Sequence, residues 1–383
     1  MTTYDYTTRP ASKATPLGTR TDPKAARIRW MLGLPDLSRR PGSPVHHLVR
    51  RALSAPCLAG ADEVAFPEVV SVARNFDLLN APSDHPSRRP SDTYYIDAGH
   101  VLRTQTTCMW SWYLTDDRVV RRLHEHGQIT GVGYGKVFRN DEIDRSHYPV
   151  FHQIDAVCIA QRRTRSFEQH DLDELLRQIA RVIYGDSAET RILDDSFPFT
   201  EQSRQLEVRW HGEWLELVGA GLVHPQVLEN LGLDPRRFNG WAFGFGLDRL
   251  AMRKMEIPDI RILWSTDERI TRQFDSIDST YTPVSKYPAT RRDVSFLLDG
   301  SRSLNDFYEI VRQHGTRGGE TIVEEVEHLD RYENAEKFGA GRVSHTFRIV
   351  YRSFVGTLTN EEINDVQTAI RQAVAAELGA ELR

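Results

Sequence analysis

Residues 131–157, GVGYGKVFRNDEIDRSHYPVFHQIDAV, constrain the fold more than any other stretch of the chain. A buriable strand through Lys136, Val137 and Phe138 runs straight into Arg139. A loop crowded with charge follows, and a second strand returns with Phe151, Gln153 and Asp155 at alternate positions. Strand residues two apart share a face, so a ring, an amide and a carboxylate look toward the space that Arg139 reaches. An ordinary half-buried hairpin explains any one of these residues, and all four together less comfortably. As a set they suit a nucleotide-bound carboxylic acid: Arg139 for phosphate, Phe151 to stack a base, Gln153 and Asp155 for an ammonium group.

Elsewhere strands and helices mix without βαβ regularity, which predicts an α+β fold rather than a doubly wound sheet. Leu172, Leu175, Leu176, Ile179, Ala180 and Ile183 fall at helical spacing within 166–184. Residues 207–223 read as two strands around the His211-Gly212 turn. From Gly240 a strand enters a helix whose first turn holds Asp248 and Arg249. A helix N-terminus favours anions, so Arg249 is placed for a terminal phosphate; its plainer reading is a surface ion pair with Asp248. Beyond a polar linker at 276–286, residues 287–383 spell a ferredoxin-like βαββαβ unit. Val294, Phe296 and Leu298 form a strand, Ser303 with Asp306 caps a helix, and 321–329 make another strand. Val343 to Tyr351 form the longest strand, Thr359 with Glu362 makes a capping box, and Gly379–Arg383 a short edge strand.

The hairpin resembles motif 2 of the phenylalanyl-tRNA synthetases, class II enzymes, through Arg139, Asp141, Asp144, His147 and Phe151-His152-Gln153. FDLLNAPSDHPSR (76–88) is similar to the family's first motif region, HVLRTQTT (100–107) to its His-Thr-Ser segment, and GWAFGFGLDRLAM (240–252) to motif 3. FPFTE (197–201) and WLELVGAGLVHP (214–225) match further segments, and the last hundred residues resemble the ferredoxin-fold anticodon-binding domain of single-chain, organelle-type members. The resemblance implies an antiparallel-sheet class II catalytic domain at 44–275. It also implies ATP-dependent activation of phenylalanine, Mg²⁺, and transfer to tRNA(Phe). By the same resemblance Arg139 and Arg249 are catalytic and hold the α- and γ-phosphates, Phe151 stacks on adenine, and His147 lies near the phosphates. Gln105, Thr107, Gln153 and Asp155 take the amino acid's polar end. Phe197 and Phe199, side by side on a strand, embrace its ring over Ala242, and Glu216 helps hold Mg²⁺. Lys286, Arg291 and Arg292 are the tail's tRNA contacts.

Departures from the family pattern gather at the amino end of the substrate: Asp155 stands for Glu, Gln105 for His and Thr107 for Ser. Ala220, Gln202 and Asp248 also differ, standing for Cys, Pro and Glu. A second reading is therefore a synthetase relative that adenylates another aromatic acid, such as a β-amino acid, for a small-molecule pathway. A non-catalytic RNA-binding relative fits poorly with both arginines present.

The chain of 383 residues carries a net −5, and from Pro283 onward 13 Lys/Arg face 16 Asp/Glu. Nucleic-acid binding draws on neutralised phosphates, so tRNA contacts by the tail need a local basic patch. Residues 1–43 are basic and read as a loosely ordered arm with a short helix near 25–32, or as a transit peptide. No apolar run approaches the ~18 residues of a membrane span. Cys57, Cys108 and Cys158 read as reduced thiols. These features lead to the expectation of a cytoplasmic, soluble monomer or homodimer, mitochondrial if the arm is a transit peptide. GVGYGK lacks P-loop spacing, neither His124/His126 nor His46/His47 is spaced for a metal, and Trp110, Trp112 and Tyr113 read as core.

Overall fold

The structure, a computed structural model, describes residues 2–8, 17, 20–140, 142, 144–284 and 287–383. Its contacts divide into two units: Met1–Arg139, Val150–Lys254 and Phe274–Asp278 in the first, and Asn140–Pro149, Met255–Gln273 and Ser279–Arg383 in the second. This division cuts the expected 44–275 domain differently, because the 140–149 and 255–273 segments belong with the tail.

In the first unit the strands are β1 Thr3–Asp5, β2 Asp62–Ala65, β3 Val69–Ser71, β4 His100–Leu102, β5 Gln128–Phe138, β6 Val150–Gln161, β7 Thr190–Asp194, β8 Thr200–Trp210, β9 Glu213–Val223 and β10 Phe238–Gly246. β3 pairs with β4, and the other eight form one sheet in the order β1-β2-β5-β6-β10-β9-β8-β7. The large central strands are antiparallel, as the sequence predicts, with β5 and β6 in unbroken register from Gln128↔Ala160 to Phe138↔Val150. His211 and Gly212 both take positive φ, 49° and 86°, which gives the β8–β9 turn the twist that a two-residue hairpin needs. The helix Gln169–Tyr184 buries the six predicted apolar residues and packs on β8 and β9. Gln202, in the family's proline position, sits at φ 49° in an irregular stretch of β8. Proline, locked near −65°, is excluded there.

The N-terminal stretch is not a loose arm where it is described. β1 pairs in parallel with β2, and Asp22 caps the helix Pro23–Gly33, which buries Ala25, Ile28 and Met31. The basic residues lie on the outside of this helix, and its inner side is apolar. At the helix's C-terminal end, the Leu32 and Leu34 carbonyls accept from Lys136 Nζ at 3.0 and 2.7 Å, and farther on the Leu37 N–H donates to His152 Nε2 at 3.0 Å. Lys136 is 2% exposed, with Glu68 at 3.2 Å as its counter-charge. Truncation before Ser38 strips two carbonyls from a buried ammonium, so we expect a loss of stability on the order of 3 kcal/mol, read as a lowered Tm.

The second unit carries β11 Thr290–Asp299, β12 Thr316–Arg317, β13 Glu320–Thr321, β14 Val323–Glu333, β15 Arg342–Tyr351 and β16 Glu381–Leu382. Four of these form a sheet in the order β14-β15-β11-β16, and β12 with β13 makes a small hairpin that the periodicity did not foretell. Helices Asn305–His314 and Asn360–Leu378 close over Phe296, Phe347 and Ile349. Thr359 and Glu362 form the expected capping box. At the other helix Ser303 Oγ accepts from the Asn305 N–H at 3.2 Å, ahead of Leu304, whose φ −68° and ψ −17° are already helical. Ser303 therefore caps that end, while no reciprocal Asp306 bond is seen among the described residues.

Candidate active site

Register alone builds an open strip on one face of the first unit's sheet. Asp155 on β6 faces Gly133 on β5 and Gly244 on β10, and Gly244 faces Gly219 on β9. One row along, Gln153 faces Gly246. Side chains close this strip from both sides. The Phe197 ring lies over Gly219, with its para carbon 2.8 Å from where a Cβ would stand. The turn Thr106–Met109 and the helix Trp110–Tyr113 cover β5, with Met109 against Gly133 and Tyr113 against Gly131. What remains is a slot floored by Gly244 and Gly246, where a Cβ at Gly246 would meet nothing within 4 Å.

At one end of the slot stand the strand termini. Arg139 follows β5, its guanidinium 5.2 Å from the Phe151 ring centroid and its Nε donating to the Thr104 carbonyl at 3.1 Å. Arg249, exposed, sits in the first turn of the helix Asp248–Met255 that follows β10. Asp248 turns inward, away from a surface ion pair. It accepts from the His152 backbone N–H at 2.5 Å and from His152 Nδ1 at 3.0 Å. With Leu37 N–H donating to Nε2, the His152 tautomer is set with its proton on Nδ1. This network lies on the face opposite Phe151 and ties β6, the Arg249 helix and the N-terminal segment together.

Asp155 departs most from expectation. It is 4% exposed, its Oδ2 accepts from Thr107 Oγ1 at 2.7 Å, and its Oδ1 accepts from Trp110 Nε1 at 2.7 Å. Burial pushes its carboxyl up to about 7, against the pull of these two donors. Gly244 is needed beside it, since a Cβ there would come within 2.8 Å of Oδ2. Gln153 Oε1 accepts from the Thr106 N–H at 3.2 Å, and Gln105 Nε2 donates to the Asn75 carbonyl at 3.3 Å. Thr107 and Asp155 therefore meet, Gln153 reaches the same turn through the Thr106 N–H, and Gln105 turns to Asn75. Sequence reasoning missed Trp110, taken as core only. Its signal was its spacing: Thr107 and Trp110, three apart along helical backbone, share a face.

Phe197 and Phe199 are not on a strand but in the loop that enters β8. Their rings lie nearly parallel, 5.7 Å apart at 6°, and Phe199 meets Trp110 edge to face at 5.7 Å. Ala242, 2% exposed, faces Val157 and Gly221 in the next row of the floor. Glu216 is exposed on β9 opposite Glu207; partial burial, then the nearby Asp195 carboxylate, raise its pKa, and the Arg249 charge opposes them. Such a carboxylate suits Mg²⁺, which takes one or two protein oxygens and shares the rest with phosphates and water. Among the described residues no preformed group of three or more metal-ligating side chains exists.

Of the remaining expected residues, His147 belongs to the second unit, where its Nδ1 donates to Asp144 at 2.7 Å. Asp141 and Lys286 lie outside the described residues. Arg291 is exposed at the start of β11, and half-buried Arg292 donates to Asn360 Oδ1 at 2.7 Å. The thiols of Cys57, Cys108 and Cys158 are free and pushed up to about 12 by burial. No described helix is long and apolar enough to cross a membrane.

Two arginines at the strand ends beside an aromatic ring, on one face of an antiparallel sheet, fit the class of carboxylate-activating, nucleotide-binding enzymes that the sequence resembles. The family models for the tRNA synthetase class II core domain (F), matching residues 42–274, and for the ferredoxin-fold anticodon-binding domain, matching residues 285–383, make that class specific. The chain belongs to the class II tRNA synthetase family. It is 39% identical over 325 residues to the chloroplastic/mitochondrial phenylalanine–tRNA ligase of Arabidopsis thaliana, spanning 82% of this chain and 71% of that one. The mitochondrial phenylalanine–tRNA ligase of Mus musculus is 37% identical over 353 residues, covering 83% and 74%. That of Saccharomyces cerevisiae is 32% identical over 395, covering 83% and 82%.

Proposed function

We propose that the chain is a phenylalanine–tRNA ligase: it activates phenylalanine with ATP and passes it to tRNA(Phe). The observation that carries this reading is the glycine-floored slot, with Arg139, Phe151 and Arg249 at one end and Phe197, Phe199 and Ala242 alongside. Adenine stacks on Phe151. Arg139 neutralises the α-phosphate as the amino acid carboxylate attacks it, and Arg249 holds the γ-phosphate of the departing pyrophosphate. Neither activation nor transfer calls for a protein nucleophile, so the rate comes from positioning and from fixed positive charge. Glu216 would hold Mg²⁺, which would supply further charge neutralisation. The substrate ring lies over Ala242 against Phe197 and Phe199. Its ammonium meets the cluster of Thr107, Gln153 and Asp155, with Gln105 beside it.

Transfer engages tRNA through the tail unit, with Arg291 and Arg292 at the start of β11 among its contacts on a net-acidic domain. Core and anticodon-binding parts share one chain, so a monomer suffices. The organellar names of the relatives favour the mitochondrial alternative over the cytoplasmic expectation. Aminoacylation of total tRNA, followed by identification of the charged species, tests the reading. Charging of tRNA(Phe) is expected, and robust activation with no charged tRNA would overturn it.

The ring pocket gives a second test. Ala242→Gly removes the methyl from the floor, and we expect it to admit para-halogenated phenylalanines at least about tenfold better than the parent, a methylene-scale change in pocket fit. Unchanged exchange rates with these analogues would place the ring elsewhere.

A further inference from the structure

We infer that Trp110 is the positioning residue through which this site selects an α-ammonium group: its indole N–H grips one oxygen of the Asp155 carboxylate and aims the group at the slot. The inference rests on the adenylation reading above and deepens it.

The geometry is specific. Asp155 carries its carboxylate on a single methylene, and neither oxygen is left to find its own direction. Thr107 Oγ1 fixes one at 2.7 Å, and Trp110 Nε1 fixes the other at the same distance. Trp110 is itself immobile, 0% exposed within the core cluster and set edge to face on Phe199, a ring of the substrate pocket. Each oxygen of an ionised carboxylate accepts two hydrogen bonds. Thr107 and Trp110 take one on each, leaving capacity on Asp155 for an incoming ammonium. No cation in the site does this work in the free protein. Burial disfavours the charged form, and these two neutral donors are what oppose it.

Other groups around Asp155 do not compete. Gly133 and Gly244 flank it on the neighbouring strands and carry no side chains. Cys108, on the same turn as Thr107, is a thiol held neutral by burial, and Arg103 and Arg74 act on Cys108. Arg103 is occupied with the carbonyls of Lys136, Phe66 and Pro67, and Arg74 with that of Ser111. Phe197 and Phe199, from the loop before β8, bring no charge. Thus a single N–H on Trp110 is positioned to move the titration of the one acid that faces the substrate's amino end.

The test compares adenylate formation with L-phenylalanine and with 3-phenylpropanoic acid, the same ring and carboxylate without the ammonium, across pH 6 to 9. Trp110→Phe removes the N–H together with the second ring of a fully buried indole, so some stability is lost with it, and the pH dependence is what separates the two effects. We expect the rising limb of kcat/KM for phenylalanine to move up by about one pH unit. At pH 7 the preference for phenylalanine over the deamino acid should fall about tenfold and recover by pH 9. The KM for phenylalanine carries the change, while kcat at saturation holds within a few-fold. A merely structural loss would depress both acids at every pH. A folded Trp110→Phe variant with an unmoved limb overturns the inference. If that variant does not fold, the Trp110 indole N–H resonance of the parent decides. Titration with a midpoint near that of the kinetic limb upholds the inference, and pH-independence overturns it. Should the parent activate no phenylalanine at all, the adenylation reading falls and takes this inference with it; a normal parent with an unmoved limb removes Trp110 alone.

Discussion

Arg139→Ala lowers adenylate formation by at least about a hundredfold while the protein still folds. A charge-assisted contact to a phosphate that gains negative charge in the transition state is worth a few kcal/mol, and each 1.4 kcal/mol is a factor of ten. The fold tolerates the change because Arg139 is only half-buried at a strand end, bonded to the Thr104 carbonyl and lying over Phe151. The loss should therefore appear in kcat, with Tm within a few degrees of the parent. Exchange by a folded Arg139→Ala protein within a few-fold of the parent would remove Arg139 from the phosphate.

Asp155→Asn is expected to move activity and stability in opposite directions. Burial raises the Asp155 carboxyl from the usual 3.8 to about 7 in the folded protein. The folded state thus holds the proton more tightly than the unfolded one, and stability falls as pH rises from about 4 to about 7. Above pH 7 the whole ionisation cost is present, on the order of 4 kcal/mol. Asn is isosteric: its Oδ1 accepts from Trp110, and its amide group donates to the Thr107 hydroxyl. At pH 8 the variant should unfold at a higher temperature than the parent, and the gap should close toward pH 4. Activation of phenylalanine should drop a hundredfold or more, since the carboxylate opposite the ammonium is gone. Equal stability across the pH range would mean that Asp155 titrates normally. Unimpaired activation would mean that it does not face the substrate.

Much of this was legible in the sequence, and the exceptions have common physical causes. Period-two alternation placed Phe151, Gln153 and Asp155 on one face, because a long antiparallel hairpin has register set along its whole length. Thr359 with Glu362 announced a helix start for a local reason, and local signals survive folding. What periodicity could not show was distance across the sheet. The row Gly133, Asp155, Gly244 and Gly219 joins four strands, and only pairing reveals it as a floor. Trp110 looked like core and is core, yet its one polar atom meets an acid 45 residues away. The N-terminal stretch looked loose from its charge apart from the short helix expected near 25–32, which Pro23–Gly33 matches; the three-residue strand Thr3–Asp5 is too short to announce itself. Phe197 and Phe199 alternate like strand residues while lying in a loop, where spacing of two carries no face information.

ATP–pyrophosphate exchange by the purified chain across the twenty amino acids, with β-phenylalanine added, tests the central claim most directly. The account predicts that L-phenylalanine supports the fastest exchange, by about a hundredfold over tyrosine and over its β-amino isomer, as a site with polar groups matched to one substrate requires. Faster exchange with the β-amino acid, or a gain of tenfold or more for phenylalanine on Asp155→Glu, would contradict it.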